Sequence, residues 1–329
     1  MRRPGRLVAL AGALLSGCAE EQGSLAPASP DARAVDELLW VMVSLGAVVF
    51  ILVITLLVYA GGGRRRSDDP AGGDDDDTRR SRWLVIGGGV ALPVVVLVPL
   101  AVFMLVTANR VAPTGATDLE IRVIGNQYWW EIEYPGGVTT ANEIHIPART
   151  PVRILLETDD VIHSFWIPEL GGKTDMIPGE LTESILEADE PGRYLGQCAE
   201  FCGIQHARMR MVVIAQEPPE FDAWLRDQAA PAAEPVGEAA LRGRATFVET
   251  GCASCHTVRG TSADGELGPD LTHVASRSTL AAVTLPNTRG NLGGWIADPQ
   301  SIKPGALMPP APVTGPELLD LIAYLEGLR

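Results

Sequence analysis

The stretch CAEFCGIQHARM, residues 198–209, is dense in side chains that bind metals. Its candidate ligands, together with one histidine from DDVIHSFWIP upstream, are His163, Cys198, Cys202, His206 and Met209. Two thiolates, two imidazoles and a thioether form a soft ligand set, which favours copper. Cys198 and Cys202 are close enough in sequence for one loop to direct both sulfurs to a shared point. Two bridging thiolates there would hold two coppers.

Two other uses of this cysteine pair are open. A Cys198–Cys202 disulfide suits an oxidising compartment, and a tetrahedral zinc site also uses thiolates. Zinc would not need Met209, and a disulfide would need neither His206 nor His163. Copper is the interpretation that uses all five side chains.

The residues around this loop have the pattern of a β domain. From Ala112 onward, short β-rich runs alternate with Gly, Pro and Asp, and turn signals recur roughly every ten residues. That spacing predicts a β-sandwich or barrel, which we assign to residues 111–220. The predicted strands are Leu119–Ile124, Tyr128–Tyr134, Glu143–Ile146, Val152–Glu157, Ser184–Leu186 and Met211–Ile214.

Further along the chain, GCASCHTV carries the attachment signature of c-type haem. In Cys252-x-x-Cys255-His256 both thiols form thioethers and the histidine is an axial iron ligand. A thioredoxin-like Cys-x-x-Cys would not explain the adjacent histidine, and a zinc site would need two more ligands. Met308, the last methionine of the chain, is the candidate second axial ligand. Its Lys-Pro-Gly and Pro-Pro flanks predict a loop.

The haem signature belongs to a separate domain, which we assign to residues 237–329. Residues 221–236, rich in Pro and Ala, are the predicted linker. Helices over Glu238–Thr250 and Gly315–Gly327 are expected to begin and end the domain, the second with Pro near its start. The stretch GPDL at 268–271 resembles the loop that supports the haem-ligating histidine in small class I cytochromes c. An all-α domain of that class is therefore expected.

The chain opens with the layout of a secretory signal over residues 1–17: basic, then apolar, then small. The run Leu15-Ser16-Gly17-Cys18 resembles the bacterial lipobox, in which Cys18 becomes the mature N-terminus and a lipid anchor. The alternative is an ordinary cleaved signal in which Cys18 is incidental.

Two uncharged stretches, Leu38–Ala60 and Trp83–Thr107, are each long enough to cross a bilayer as a helix. Residues 18–110 are therefore predicted to form a two-helix membrane anchor. The loop between the stretches carries six arginines, so the positive-inside rule places it in the cytoplasm and both chain ends outside. An exported, lipidated Cys18 requires the same orientation.

The charge balance excludes one class of partner and is unevenly distributed. The 329 residues have a formal net charge of −15, which disfavours a nucleic-acid binder because phosphate contacts need a basic face. Residues 110–220 carry 8 basic and 18 acidic groups, a net of −10. An acidic copper domain would steer a basic electron donor.

The motifs GNQYWWEIEYP, HSFWIPELGGKTDMIPGE and the copper loop together resemble subunit II of haem–copper cytochrome c oxidases. The haem signature makes the resemblance one to the caa-type, in which a cytochrome c domain is fused to that subunit. The resemblance covers most of the chain. It implies two transmembrane helices followed by a cupredoxin-like β-barrel carrying the dinuclear copper A centre.

The resemblance also implies a role for each copper ligand. Cys198 and Cys202 bridge the coppers, His163 and Met209 complete one, and His206 and the backbone carbonyl of Glu200 complete the other. The Glu200 side chain would bind magnesium shared with subunit I.

The chain departs from the family pattern at two places. Relatives have Gln-Trp-Tyr-Trp where this chain has Gln127-Tyr128-Trp129-Trp130, so Tyr128, followed by Trp129, stands at the position that receives electrons from docked cytochrome c. The tyrosine puts that docking route in doubt. The second predicted helix also lacks the Glu at its cytoplasmic start that helps relatives admit protons. Asp159 and Asp160 lie where relatives place docking carboxylates.

The expected function is electron transfer from an external cytochrome c or similar donor to haem c, then copper A, then the haem of subunit I. Dioxygen would be reduced to water there, with proton pumping. The expected partners are subunits I and III and the bacterial inner membrane, with the C-terminal domains on its outer face. The alternatives are a copper-A subunit of a nitric-oxide reductase and a membrane-tethered copper/haem electron shuttle. His145 and His273 have no assigned role and are expected at surface or loop positions.

Overall fold

Two long apolar helices precede the domains of this protein. The structure, a computed structural model, describes residues 23–63, 74–111 and 117–329; the predicted signal and Cys18 lie outside them. Helix α1 is Pro30–Gly63. Helix α2 (Asp74–Ile86) continues through a π-helical turn, Gly87–Ala91, into α3 (Leu92–Arg110).

These helices confirm the two predicted apolar stretches as helical. The most apolar 18-residue stretches within Pro30–Gly61 and Ser81–Arg110 have mean hydropathies of 3.0 and 2.7, and their large apolar side chains are exposed. Each is longer than the roughly 20 residues that a bilayer core requires. They are therefore long and apolar enough to cross a membrane, by length and composition.

The β domain consists of two five-stranded sheets with a shared core. The strands are β1 (Glu120–Asn126), β2 (Trp129–Tyr134), β3 (Val138–Ala141), β4 (Glu143–Pro147), β5 (Val152–Thr158), β6 (His163–Trp166), β7 (Thr174–Met176), β8 (Thr182–Leu186), β9 (Gly192–Cys198) and β10 (Arg210–Gln216). The sheet orders are β3-β2-β1-β5-β8 and β4-β10-β9-β6-β7. β1/β5 and β4/β10 pair in parallel, and the other neighbours are antiparallel. The arrangement is the expected cupredoxin-like barrel.

Alternating burial explains why these segments form strands. In β1, Ile121 and Val123 are buried while Glu120 and Arg122 face outward, as a strand with one face on the core requires. The six predicted strands are confirmed, with small shifts at their ends. The sequence did not predict β3, β6, β7 and β9, because they are short or interrupted by Gly and polar residues.

A helix lies where the sequence predicts the start of the linker. Helix α4, Pro218–Ala229, packs Phe221 into the core of the β domain, where Phe221 is 4% exposed. The predicted linker 221–236 is therefore wrong over residues 221–229, which belong to the copper domain. The helix was missed because its Pro-Pro start and alanine-rich end have the composition of a linker.

The two histidines without an assigned role are buried, which corrects their predicted surface position. The ring of His145, on β4, stacks on Trp224 of α4 at a centroid distance of 3.9 Å, and its Nδ1 lies 2.8 Å from Gln216 Oε1. His273 Nε2 donates to the Ala230 carbonyl at 3.0 Å. Both rings therefore hold elements together, His145 within the copper domain and His273 across the shortened linker.

The haem domain is built on four helices: α5 (Glu238–Glu249), α6 (Arg289–Ala297), α7 (Pro299–Ile302) and α8 (Gly315–Leu325). Both predicted terminal helices are confirmed. They pack so closely that a Cβ on Gly243 would overlap the carbonyl oxygen of Asp320. The expected all-α fold is supplemented by two short ladders, Thr257–Val258 with Ala263–Asp264 and Thr279–Leu280 with Leu285–Pro286.

Candidate functional site

The fold brings the predicted copper ligands to one end of the second sheet. His163 begins β6 and Cys198 ends β9, and these strands are hydrogen-bonded neighbours. The chain then turns back through Cys202 and a 3₁₀ turn, His206–Arg208, before Met209 leads into β10. The Cys198 amide donates to the Met209 carbonyl at 2.9 Å, which closes the loop at its base.

The sulfur and nitrogen atoms of this loop lie at similar distances from one another. The two cysteine sulfurs are 3.8 Å apart, and each is 3.8 Å from a histidine Nδ1, Cys198 from that of His163 and Cys202 from that of His206. The Met209 sulfur lies 3.7 Å from Cys202 Sγ, and the Glu200 carbonyl oxygen lies 3.1 Å from Cys198 Sγ. All six predicted copper-ligating groups are therefore in one cluster.

Four of the five ligand side chains in the cluster are buried, and the fifth, His206, is half-buried. His163 and Met209 are fully buried, and both cysteines are 3% exposed. The ligand atoms of His163, Cys198 and Cys202 all lie within 4.8 Å of one another. Among the described residues these thiols are free, so the structure contains no Cys198–Cys202 disulfide. A soft, buried and mutually close set of S and N donors fits copper.

The distances group the ligands differently from the resemblance. His163 and the Glu200 carbonyl lie nearest Cys198, and Met209 lies nearest Cys202, whereas the family pattern pairs His163 with Met209. A bridging sulfur contacts both ions, so either grouping is compatible with a shared pair of thiolates. The assignment of ligands to individual coppers stays a prediction.

The two thiols share their protons unequally. Hydrogen bonding with Cys202, supported by His163, holds the pKa of Cys198 well below its usual range despite burial. The same contact and burial raise the pKa of Cys202. One thiolate is thus already favoured, and metal binding requires that both cysteines lose their protons.

Asp160 orients His163, a role that the sequence analysis missed. The His163 Nε2–H donates to Asp160 Oδ1 at 2.8 Å, which leaves the Nδ1 lone pair facing Cys198. Carboxylates behind metal-binding histidines commonly fix the ring and its tautomer in this way. The same carboxylate accepts from the backbone amides of Gln127, at 2.6 Å, and Val161, at 2.5 Å.

These contacts hold the Asp160 carboxylate against His163. Burial raises its pKa, but the hydrogen bonds from Val161, His163 and Gln127 outweigh burial and lower it. Both oxygens of Asp160 accept hydrogen bonds within the chain, and Asp159 and Asp160 are both exposed. The docking role of the two residues stays a prediction. The signal available in the sequence was an Asp three residues before a candidate ligand.

The aromatic stretch lies against the copper loop. Gln127 Nε2 donates to the Cys202 carbonyl at 2.5 Å, and the Tyr128 ring packs so close to Gly203 that a Cβ there would collide with it. Trp130 is fully buried, with its ring centroid 6.0 Å from that of His163. Tyr128 and Trp129 are half-buried, so their electron-receiving role stays a prediction.

The Glu200 side chain has a partner within the chain. Its carboxylate lies 3.4 Å from Lys173 Nζ, which also pairs with Asp175 at 3.1 Å. The carboxylate is exposed and remains accessible to a partner subunit. The predicted magnesium role stays a prediction.

The haem signature forms a compact turn at the end of α5. Cys252 begins a 3₁₀ turn, and the His256 amide donates to the Cys252 carbonyl at 3.0 Å. His256 Nδ1–H donates to the Pro269 carbonyl at 2.8 Å, so Nε2 is the nitrogen available to iron. A Cβ on Gly268 would lie 2.7 Å from His256 Cε1, which explains a glycine beside this ring.

The charge state of His256 suits a metal ligand. Burial lowers its pKa, and the nearby Arg277 lowers it further, so the imidazole is neutral at pH 7. Neutral imidazole, two thiols and a methionine in the same domain fit c-type haem.

Met308 lies in the loop between α7 and α8, as predicted. It is half-buried. Its carbonyl and that of Ala306 both accept from Gln300 Nε2, at 3.0 and 2.8 Å. The Gln300 side chain therefore anchors the Met308 loop to α7. The role of Met308 as second axial ligand stays a prediction.

Comparison with known proteins gives matches in both domains. The family models "Cytochrome C oxidase subunit II, periplasmic domain" and "Cytochrome c" match residues 136–216 and 240–329. Cytochrome c oxidase subunit 2 of Alkalihalophilus pseudofirmus is 41% identical over 246 residues, 72% of this chain and 71% of that protein. The Bacillus subtilis protein of the same name is 33% identical over 262 residues, 72% of each chain. The solved periplasmic domain of subunit II of cytochrome oxidase from Bradyrhizobium japonicum is 32% identical, with a TM-score of 0.34 covering 35% of this chain and 95% of that one.

The fold and the two sites define a redox protein that joins a copper-type cupredoxin domain to a cytochrome c domain. With these identities over more than two thirds of both chains, the protein belongs to the cytochrome c oxidase subunit 2 family. The predicted resemblance is confirmed, and the chain is a subunit of an oxidoreductase. Its two domains imply copper and haem, and membership of the family implies other oxidase subunits as partners.

Proposed function

We propose that this chain passes electrons from an external donor, through haem c and a dinuclear copper A centre, to the haem of subunit I. Dioxygen is reduced to water there, with proton pumping, in a complex that also contains subunit III. The observation that carries the proposal is the cluster in which six donor groups converge between β6, β9 and β10. When bound, the copper pair and haem c would supply reversible one-electron transfer.

The protein residues hold both centres in place. Cys198 and Cys202 provide the bridging sulfurs, and His163 is fixed by Asp160 through a 2.8 Å hydrogen bond. Burial of His163, Met209 and both cysteines keeps water from these ligands and restricts their movement. A rigid ligand shell favours electron transfer because little needs to rearrange when the charge changes.

Spectroscopy of the purified complex tests the proposal. We expect a mixed-valence dinuclear copper signal in EPR and a reduced c-type haem band in the visible spectrum. Met209→Leu should alter the copper signal and leave the haem band unchanged. Met211→Leu is a matched control, because Met211 is equally buried two residues away but lies in the core of the barrel. Loss of either signal from the unmodified complex contradicts the assignment.

The terminal acceptor is decided by the partner chain. Purified complex should consume dioxygen with a reduced basic cytochrome c as donor. Turnover of nitric oxide without dioxygen consumption would favour the nitric-oxide reductase alternative. A chain that purifies without any large multi-helix partner after mild solubilisation would favour the electron shuttle.

Three further assignments belong to the same proposal. The Glu200 carboxylate binds magnesium at the contact with subunit I, which Glu200→Gln should weaken in a metal analysis of the complex. Cys18 carries the lipid anchor, so the mature protein should have the intact mass of a chain acylated at that residue. The copper and haem domains face the outside of the bacterial inner membrane. A protease added to sealed, right-side-out membrane vesicles should therefore cleave them.

A further inference from the structure

The haem domain contacts the copper domain at several places, and two of these contacts involve titratable side chains that are buried. The first is a buried carboxylate on the copper domain, that of Glu143 at the start of β4. The second is a buried amino group on the haem domain, the Nζ of Lys303 at the end of α7. Each residue is 3% exposed, and each finds partners in the other domain.

Four donors of the haem domain converge on one oxygen of Glu143. Its Oε1 accepts from the backbone N–H and the hydroxyl of Ser278, at 2.8 and 2.6 Å, and from those of Thr279, at 3.1 and 3.2 Å. Arg193, also on the copper domain, donates to the Ser278 hydroxyl at 2.8 Å. A buried carboxylate is stable only with such compensation, so the haem domain completes the environment of Glu143.

Lys303 makes the reciprocal contact beside the copper loop. Its Nζ donates to the backbone carbonyl of Tyr128 at 2.6 Å and to that of Ala281, within the haem domain, at 3.4 Å. The Lys303 Nζ thus bridges the loop before α6 and the aromatic stretch of the copper domain. Because Lys303 is only 3% exposed, water cannot take the place of these two carbonyl acceptors.

The chain around Lys303 also lies against the copper loop itself. Gln205 Nε2 donates to the Pro304 carbonyl at 2.7 Å, and Arg208 donates to the carbonyl of Ile302. A Cβ on Gly305 would collide with the Ile204 side chain. The loop that carries Met308 therefore packs directly on the loop that carries His206.

The turn that presents the Ala281 carbonyl is strained. Ala281, Ala282 and Val283 all have positive φ, at 54°, 56° and 60°, a region that L-residues with a Cβ avoid. Such strain persists where surrounding contacts over-determine the backbone. Here Ala282 is buried and Lys303 holds the Ala281 carbonyl.

We propose that Glu143 and Lys303 seat the haem domain on the copper domain in one fixed orientation, and that both are positioning residues for transfer between the two centres. This inference rests on the proposed function for its purpose, though not for its contacts. The residues after α4 then act as a short connection, and the haem domain does not swing between a donor and the copper loop.

Hydrogen–deuterium exchange of the purified full complex tests the seat without reference to activity. The Ser278 and Thr279 amides should be protected, because both donate to Glu143. Glu143→Ala should accelerate their exchange about 10- to 100-fold, the effect of losing charge-assisted hydrogen bonds. Glu183→Ala is the matched control, since Glu183 is an exposed glutamate of the same domain that pairs with Arg153, and it should leave these amides unchanged.

Two further variants keep the test decisive. If Glu143→Ala does not fold, Glu143→Gln retains the shape and one acceptor, and several-fold faster exchange is expected. Lys303→Met removes the contact with Tyr128 and also the one with Ala281, which lies two residues from Thr279. Faster exchange at Ser278 and Thr279 is therefore expected in this variant as well, about tenfold. Unprotected amides in the unmodified complex overturn the proposal. So does exchange that is unchanged in folded Glu143→Ala or in Lys303→Met.

A kinetic readout separates this proposal from the proposed function. In a seated domain, the rate of transfer between the centres after photoreduction should not depend on solvent viscosity, and Glu143→Ala should slow it. Normal copper and haem spectra with unprotected amides would remove the seat and leave the proposed function intact. Protected Ser278 and Thr279 amides without the copper and haem spectra would leave the seat intact and remove the proposed function.

Discussion

Replacing Asp160 with asparagine should weaken copper binding without removing any ligand. The side chains are isosteric, but the amide is uncharged and offers one acceptor oxygen where the carboxylate offers two. Asp160 now accepts from His163 Nε2–H and from the amides of Gln127 and Val161. At least one of these donors loses its partner. Any hydrogen bond that His163 Nε2–H keeps is no longer assisted by the carboxylate charge, so the ring is held less firmly in the tautomer that presents Nδ1 to Cys198.

Two magnitudes follow from these contacts. An unsatisfied, partly buried donor costs about 1–3 kcal/mol, so the metal-free domain should lose about that much free energy of unfolding. Loss of a carboxylate behind a ligating histidine typically lowers metal affinity about 10- to 100-fold, which corresponds to roughly 1.4–2.7 kcal/mol. The variant should therefore release copper to a chelator at proportionally lower chelator concentration.

The assay is chelator competition followed at the copper absorption bands, with chemical denaturation of the metal-free protein alongside. Asp159→Asn is the control, because Asp159 is the exposed neighbour and should change neither quantity. Equal copper affinity in Asp160→Asn and Asp159→Asn would refute the claim that Asp160 fixes His163. Loss of stability with unchanged affinity would reduce Asp160 to a turn residue.

Three other outcomes are expected. Burial and the neighbouring Glu133 raise the pKa of Glu131 to about 7, so its stabilising contribution is present below pH 4.5 and is lost as the pH rises through about 7. Glu131→Gln should then raise the free energy of unfolding by about 1 kcal/mol at about pH 8, after allowance for solvent screening. At about pH 4 the free energy of unfolding should be unchanged. An equal gain at both pH values would contradict the raised pKa of Glu131. Gly243→Ala should cost about 1–3 kcal/mol by pushing α5 from the Asp320 carbonyl, as measured by thermal unfolding, whereas Gly290→Ala, with no neighbour within 4 Å, should not destabilise. Turnover with a basic donor should fall steeply with added salt, because residues 110–220 carry a net charge of −10; a flat response in stopped-flow would remove electrostatic steering.

The sequence predicted the parts of this protein that depend on short spacing. The copper loop is such a part, because Cys198 to Met209 closes on itself through hydrogen bonds only a few residues apart, such as Met209 N–H to the His206 carbonyl at 3.2 Å. The haem turn is another, since the His256 amide binds the Cys252 carbonyl four residues earlier. The long apolar helices and the alternating strands were equally predictable, because periodicity reports burial directly.

The errors fell where burial is decided by distant residues. Helix α4 has the composition of a linker, and what makes it part of the copper domain is Phe221 in the barrel core and Trp224 stacked on His145, nearly eighty residues earlier in the chain. Neither His145 nor His273 had a neighbour in sequence that indicated its burial. The signal available in the sequence was the helical spacing of Phe221, Trp224 and Leu225, which places all three on one apolar face.

The contacts between the domains show why the metal and haem sites can be predicted from the sequence whereas a contact between domains cannot. Copper and haem demand rare side chains at fixed intervals, so cysteine and histidine spacing alone indicates them. The Glu143 contact requires only a carboxylate on one strand and two hydroxyl residues, Ser278 and Thr279, more than 130 positions later. Those residue types occur throughout the chain, and what distinguishes this set is that burial removes water as a competing partner. A positioning contact is therefore defined by the three-dimensional structure, while the centres that it positions are defined by the sequence.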